Sequence, residues 1–174
     1  MKTLITTIFL FITAFVSAQT KLDSLVFHEI NLYRASFKLD TLVWSDVAFC
    51  AARKHCSYLK TMKSNDKLGT KHDTIRITHA ESYLKLPIDR VKSCSDIKID
   101  VVSECISICG YGQFFTINDK RFDYIKAAKT IVKSWRKSTV HNSILIDKKI
   151  KYGSISSIDC GKGIPGGYNV LIVY

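Results

Sequence analysis

Apolar positions along the chain repeat with helical spacing first and give way to strand-like runs at the end. Leu22, Leu25, Val26, Ile30 and Tyr33 recur at intervals of three and four, the period of one buried helix face. Ser45 stands where it can cap a second helix, whose stripe is Val47, Cys50, Ala51, His55, Tyr58, Leu59 and Met62. Residues 63–78 are polar and Lys-rich and read as a loop. Pro87 can open a short helix through Val91, because a fixed φ and a missing N–H cost nothing at a first helical position. Tyr124, Ala127, Ala128, Ile131, Val132 and Trp135 predict a third long amphipathic helix. Lys151 to Ile158 and Tyr168 to Tyr174 are β-prone, and Gly161, Gly163, Pro165, Gly166 and Gly167 between them mark a hairpin loop. Helices set against a small antiparallel sheet predict an α+β layered domain.

The N-terminus has a separate pattern. Lys2 precedes an uncharged run from Leu4 to Val16, and small residues at Val16-Ser-Ala18 close it. That is the layout of an export signal over residues 1–18, and the apolar run is too short to span a bilayer. The expectation is a single domain over 19–174, secreted or periplasmic, with no transmembrane anchor after signal removal. A formal net charge of +11 draws such a protein toward anionic surfaces. The Lys and Arg residues are scattered along the chain, and no basic run is interleaved with aromatics. With the export signal, this argues against nucleic acid as a partner.

All six cysteines follow the signal: Cys50, Cys56, Cys94, Cys105, Cys109 and Cys160. In an exported protein they predict at least one disulfide, with fifteen complete pairings open. Cys50 and Cys56 point to different faces of one helix and should not pair with each other. Cys105 with Cys109 is a local option if that segment is helical, and Cys94 with either of them is another. No C-x-x-C occurs, which excludes a thioredoxin-type motif and a standard zinc knuckle.

The segment richest in candidate chemistry is Ile131 to Leu145. Trp135 on the inner face of a helix is followed by Ser138, His141, Asn142, Ile144 and Leu145. An imidazole just past a helix end, beside a large aromatic anchor, can be held in the fixed orientation that a cleft histidine needs. His55, on the stripe of the second helix, reads as a core or cleft-floor residue.

The motifs then fall into a recognisable order. Asn31-Leu-Tyr-Arg-Ala35, Leu42-Val-Trp-Ser-Asp46 and Ala51-Ala-Arg-Lys-His-Cys56 come first. Thr78-His79, Pro87-Ile-Asp-Arg90, Ser103-Glu104-Cys-Ile106, Trp135-x-x-Ser138-x-x-His141-Asn-x-Ile-Leu145 and Tyr152-Gly153 follow. Together they resemble the CAP superfamily of cysteine-rich secretory, antigen 5 and pathogenesis-related proteins, in its bacterial, SCP-like form. The resemblance covers essentially the whole chain after the signal.

It implies a three-layer α-β-α sandwich with a central cleft. Carried over motif by motif, the cleft residues are His79, Glu104 and His141, with His79 and His141 as ligands for a divalent cation such as zinc. His72 competes for the first position, but the distances to the Pro-Asp-Arg step and to Glu104 fit His79. The departures are Cys105 for the Asn after the Glu, Val140 for the Gly before the second His, and Asn142 for the Arg after it. Ser138 stands where animal and plant members carry a second Glu. Two imidazoles and one carboxylate without a matched nucleophile define no reaction, and no spacing favours Ser138, Ser143 or Cys105 as one. The catalytic residues are therefore unassigned. The reading is a non-catalytic binding module for a small ligand, lipid or anionic envelope component. The alternative is a metal-assisted, peptidase-like hydrolase with Glu104 as base.

Overall fold

A computed structural model describes residues 19–64, 86–109, 117, 120, 122–160 and 166–174. The expected signal (1–18), the side chain of Met62, residues 65–78 of the expected loop, His72, His79 and loop residues 161–165 lie outside the described residues. Among the described residues the elements run α1 (Lys21–Ser36), β1 (Val43–Trp44), α2 (Asp46–Ser64), α3 (Pro87–Lys92), β2 (Ser103–Cys109), α4 (Tyr124–Lys137), α5 (Thr139–Leu145), β3 (Tyr152–Asp159) and β4 (Gly167–Val173). No described helix is long and apolar enough to cross a membrane.

The helices start where their caps dictate. Thr20 and Asp23 form a reciprocal capping box at the start of α1. Ser45 Oγ accepts the Ala48 N–H at 3.1 Å and opens α2, as the sequence predicts. Asp123 accepts from Lys126 N–H and opens α4. Helix α2 runs on to Ser64, past the point where the polar composition predicts a loop.

The sheet order is β1-β3-β4-β2. Strands β2, β4 and β3 pair antiparallel, while the two-residue β1 pairs parallel with β3 at the edge. Every residue of β4 is buried, as expected of a strand covered on both faces. Its side chains divide the core. Leu171 and Val173 join α1, α4 and α5 residues such as Ile30, Ile131, Trp135 and Leu145. Val170 and Ile172 join α2 and α3 residues such as Ala48, Ala52, Cys56 and Val91. The result is the α-β-α sandwich with its small sheet in the middle. Gly153 is a fixed point of that sheet, since a Cβ there would sit 2.7 Å from Val173 Cγ1 and 2.9 Å from the Ile172 carbonyl.

The expected disulfide is present, between Cys50 of α2 and Cys94 just after α3, with Cα atoms 6.1 Å apart. The Cys105–Cys109 option fails for a geometric reason. That segment is β2, and four residues of strand separate Cα atoms by about 13 Å, twice what a disulfide reaches. Cys56 and Cys105 are free thiols inside the protein, and Cys160 is buried as well. Burial pushes the Cys56 and Cys105 thiols well above their ordinary range, which keeps them inert.

Candidate functional site

Glu104 is the second residue of β2 and is almost fully buried. Strand alternation sends its side chain toward α2 and α3, with Ile106, while Cys105 turns to the α1–α4 side. Its Oε1 accepts from Arg90 Nη2 in a buried ion pair. Its Oε2 lies 4.0 Å from His55 Nε2. Arg90 stands on α3, a helix that Pro87 opens and that Asp89 caps by accepting the Leu86 N–H at 3.1 Å. His55 is fully buried on α2 and stacks on Tyr58, with ring centroids 5.9 Å apart. Arginine, carboxylate and imidazole from three separate elements thus meet in one buried cluster. The guanidinium holds Oε1 and so fixes the orientation of the carboxylate.

His141 is half-buried in the first turn of α5. Ser138 ends α4 and caps α5 in one step, and its Oγ accepts the His141 N–H at 3.4 Å. The His141 carbonyl accepts from Cys105 Sγ at 3.8 Å, so the residue after Glu104 packs against the backbone that carries His141. The described contacts of Glu104 therefore run to α2 and α3, and those of His141 to Ser138 and Cys105. His79 lies outside the described residues. Among the described residues no three His, Cys, Asp or Glu side chains gather as a metal ion would require.

The motif residues of α1 act on this scaffold. Asn31 donates to the Leu42 carbonyl at 3.1 Å and accepts its N–H at 2.8 Å, fixing the entry to β1. Tyr33 OH donates to Asn142 Oδ1 at 2.8 Å, so the Asn that departs from the family pattern is engaged in the fold. Arg34 is buried and donates to the carbonyls of Asp40, Leu145, Asp147 and Ile150. Those of Leu145 and Asp147 lie at the C-terminal end of α5, where helix carbonyls lack intrahelical partners. The segment carrying His141 is tied to α1 at Asn142 and again at the C-terminal end of α5.

What the sequence reading missed is Arg90 as the partner of Glu104. Its motif was visible in Pro87-Ile-Asp-Arg90, but a pairing across fourteen residues and two elements carries no local signature.

The layered order of these elements matches solved structures. An outer surface protein from Borrelia burgdorferi superposes with a TM-score of 0.60 at 14% identity, covering 90% of this chain and 94% of that one. An extracellular protein containing an SCP domain from Bacillus anthracis superposes with a TM-score of 0.59 at 14% identity over 87% of this chain. The fold is that of the SCP domain. A cysteine-rich secretory protein from Staphylococcus aureus matches at a TM-score of 0.50 and 12% identity, again over 87% of this chain. This SCP-fold chain spans 39% of the Bacillus protein and 38% of the Staphylococcus protein. No protein-family model and no curated protein sequence matches it.

Proposed function

We propose that the protein is an exported SCP-fold module that works by binding, with Glu104 at the base of its cleft and His141 and His79 at the cation- or ligand-binding end. The uncharged run from Leu4 to Val16 supports export, as do the extracellular and outer-surface locations of two proteins that share the fold. The observation that carries the non-catalytic reading is the buried Arg90–Glu104 ion pair. A general base must reach the proton it removes, and this carboxylate is already aimed at a guanidinium inside the core.

The test is turnover. The protein, supplied with zinc, is incubated with a mixed peptide substrate beside Glu104→Gln. The expected result is the same background rate for both. Hydrolysis by the wild-type protein that disappears in a folded Glu104→Gln variant would overturn the reading in favour of the peptidase-like alternative.

A further inference from the structure

The lysines that look scattered in the sequence gather on one face of α4. Its exposed positions are Ile125, Lys126, Lys129, Lys133, Arg136 and Lys137, and the helix from Tyr124 to Lys137 contains no acidic residue. Lys126, Lys129, Lys133 and Lys137 recur at three and four residues, so they form one row roughly 16 Å long. Like charges at that spacing repel one another and weaken the helix. A face that is merely solvated gains by interspersing carboxylates, and this one has none. The row is therefore best balanced by anions from outside the molecule.

Two grooves flank it. One, of about 750 Å³, lies against α1 and is lined by Leu32, Tyr33, Lys129, Lys133 and Arg136 among others, with Glu29 its one acidic residue. The other, of about 360 Å³, is lined by Ile125, Lys126, Lys129 and Lys133 among others, with Asp123 its one acidic residue. Leu32, 53% exposed, lines the first groove and Ile125, 56% exposed, lines the second, and Lys129 and Lys133 line both. We infer that this face docks on an anionic phospholipid bilayer, the lysines meeting headgroup phosphates while Leu32 and Ile125 enter the acyl boundary. Compact ammonium charges on long stems suit a dispersed negative surface. A dissolved acidic polymer would draw the same lysines but would have no use for two exposed aliphatic side chains flanking the row. That pairing of charge with aliphatic anchors is what an interfacial surface requires.

The test is co-sedimentation of the protein with vesicles of phosphatidylglycerol and phosphatidylcholine in equal parts, beside vesicles of phosphatidylcholine alone. Binding is expected to the anionic vesicles only, and to fall as salt shortens the Debye length. Lys129→Gln with Lys133→Gln should weaken it about 25-fold, from about 5-fold per cation near an anionic surface. Lys148→Gln with Lys149→Gln removes the same charge from an exposed site after α5 and should leave the affinity unchanged. Leu32→Ser with Ile125→Ser should weaken binding while keeping its salt dependence. All these positions are exposed, so circular dichroism should show wild-type helix content in each variant. Equal losses from the two lysine pairs would overturn the proposal, leaving only attraction by net charge. Full vesicle binding by the Leu32/Ile125 variant would also overturn it, in favour of a site for acidic polymers. None of these residues touches the Glu104 cluster, so failure here leaves the binding-module reading intact.

Discussion

Arg34 is a buried cation whose described hydrogen bonds all run to backbone carbonyls, four of them. Burial lowers its pKa from the ordinary value, offset in part by Asp147 and Asp40 nearby. Arg34→Met keeps much of the volume but takes the donor from four carbonyls, of which those of Leu145 and Ile150 are bonded in the buried interior. We predict a loss of roughly 3–5 kcal/mol in denaturant unfolding, in line with broken buried charge networks. Asp23 is the opposite case. It is fully buried, and burial raises its pKa above the ordinary 3.8, although its oxygens accept the N–H groups of Thr20 and Ser157. A raised carboxyl pKa means that the folded state holds its proton longer than the unfolded chain does. The associated stability is present below 3.8 and is lost as pH rises through the raised value. Asp23→Asn cannot accept both N–H groups and should cost roughly 1–3 kcal/mol. Its deficit relative to wild type should shrink as pH is raised from about 4 toward neutral, as thermal melts of the two proteins would show. A deficit that grew over that range would contradict this account.

At the scale of elements, Trp135 is the test of how α4 is placed. It is fully buried in the cluster that joins α1, α4 and the sheet, which is where the stripe from Tyr124 to Trp135 predicts it. Trp135→Ala should cost roughly 3–5 kcal/mol, a fall in Tm of about 10 °C or more for a domain of this size. A wild-type melt would mean that the helix is rotated from this packing. The disulfide ties α2 to the end of α3 across 44 residues. Closing a loop of that length stabilises by about 4 kcal/mol in the chain-entropy account, so Cys50→Ser with Cys94→Ser should lower stability by roughly 2–4 kcal/mol under non-reducing conditions. Helices were the elements most legible in the sequence, because each buries one face and repeats every three or four residues. Strand β2 was not. Ile106 packs on one face of the sheet and Cys105 on the other, so no apolar–polar alternation marks the segment. Without the strand, the Cys105–Cys109 spacing looked bridgeable, and the real partner of Cys50 depended on how α2 and α3 pack.

At the scale of the molecule, the order of short motifs led to the SCP fold although no motif is specific alone. Much of what those motifs encode is scaffolding: Asn31 pins Leu42, Arg34 ties down the end of α5, and Gly153 leaves room for Val173. The site was less legible. The sequence singled out Glu104, but its contacts with Arg90 and His55 exist only once three elements meet, and the gathering of lysines on α4 is likewise a property of the folded surface. The central claim is that the protein binds at a cleft whose ligand end includes His141. The most direct measurement is a calorimetric titration of the protein with zinc beside His141→Ala, with a circular dichroism spectrum of each. The account predicts saturable binding to wild type at one site, lost in a variant that keeps its fold. Equal binding by the two proteins, or none by wild type, would contradict it.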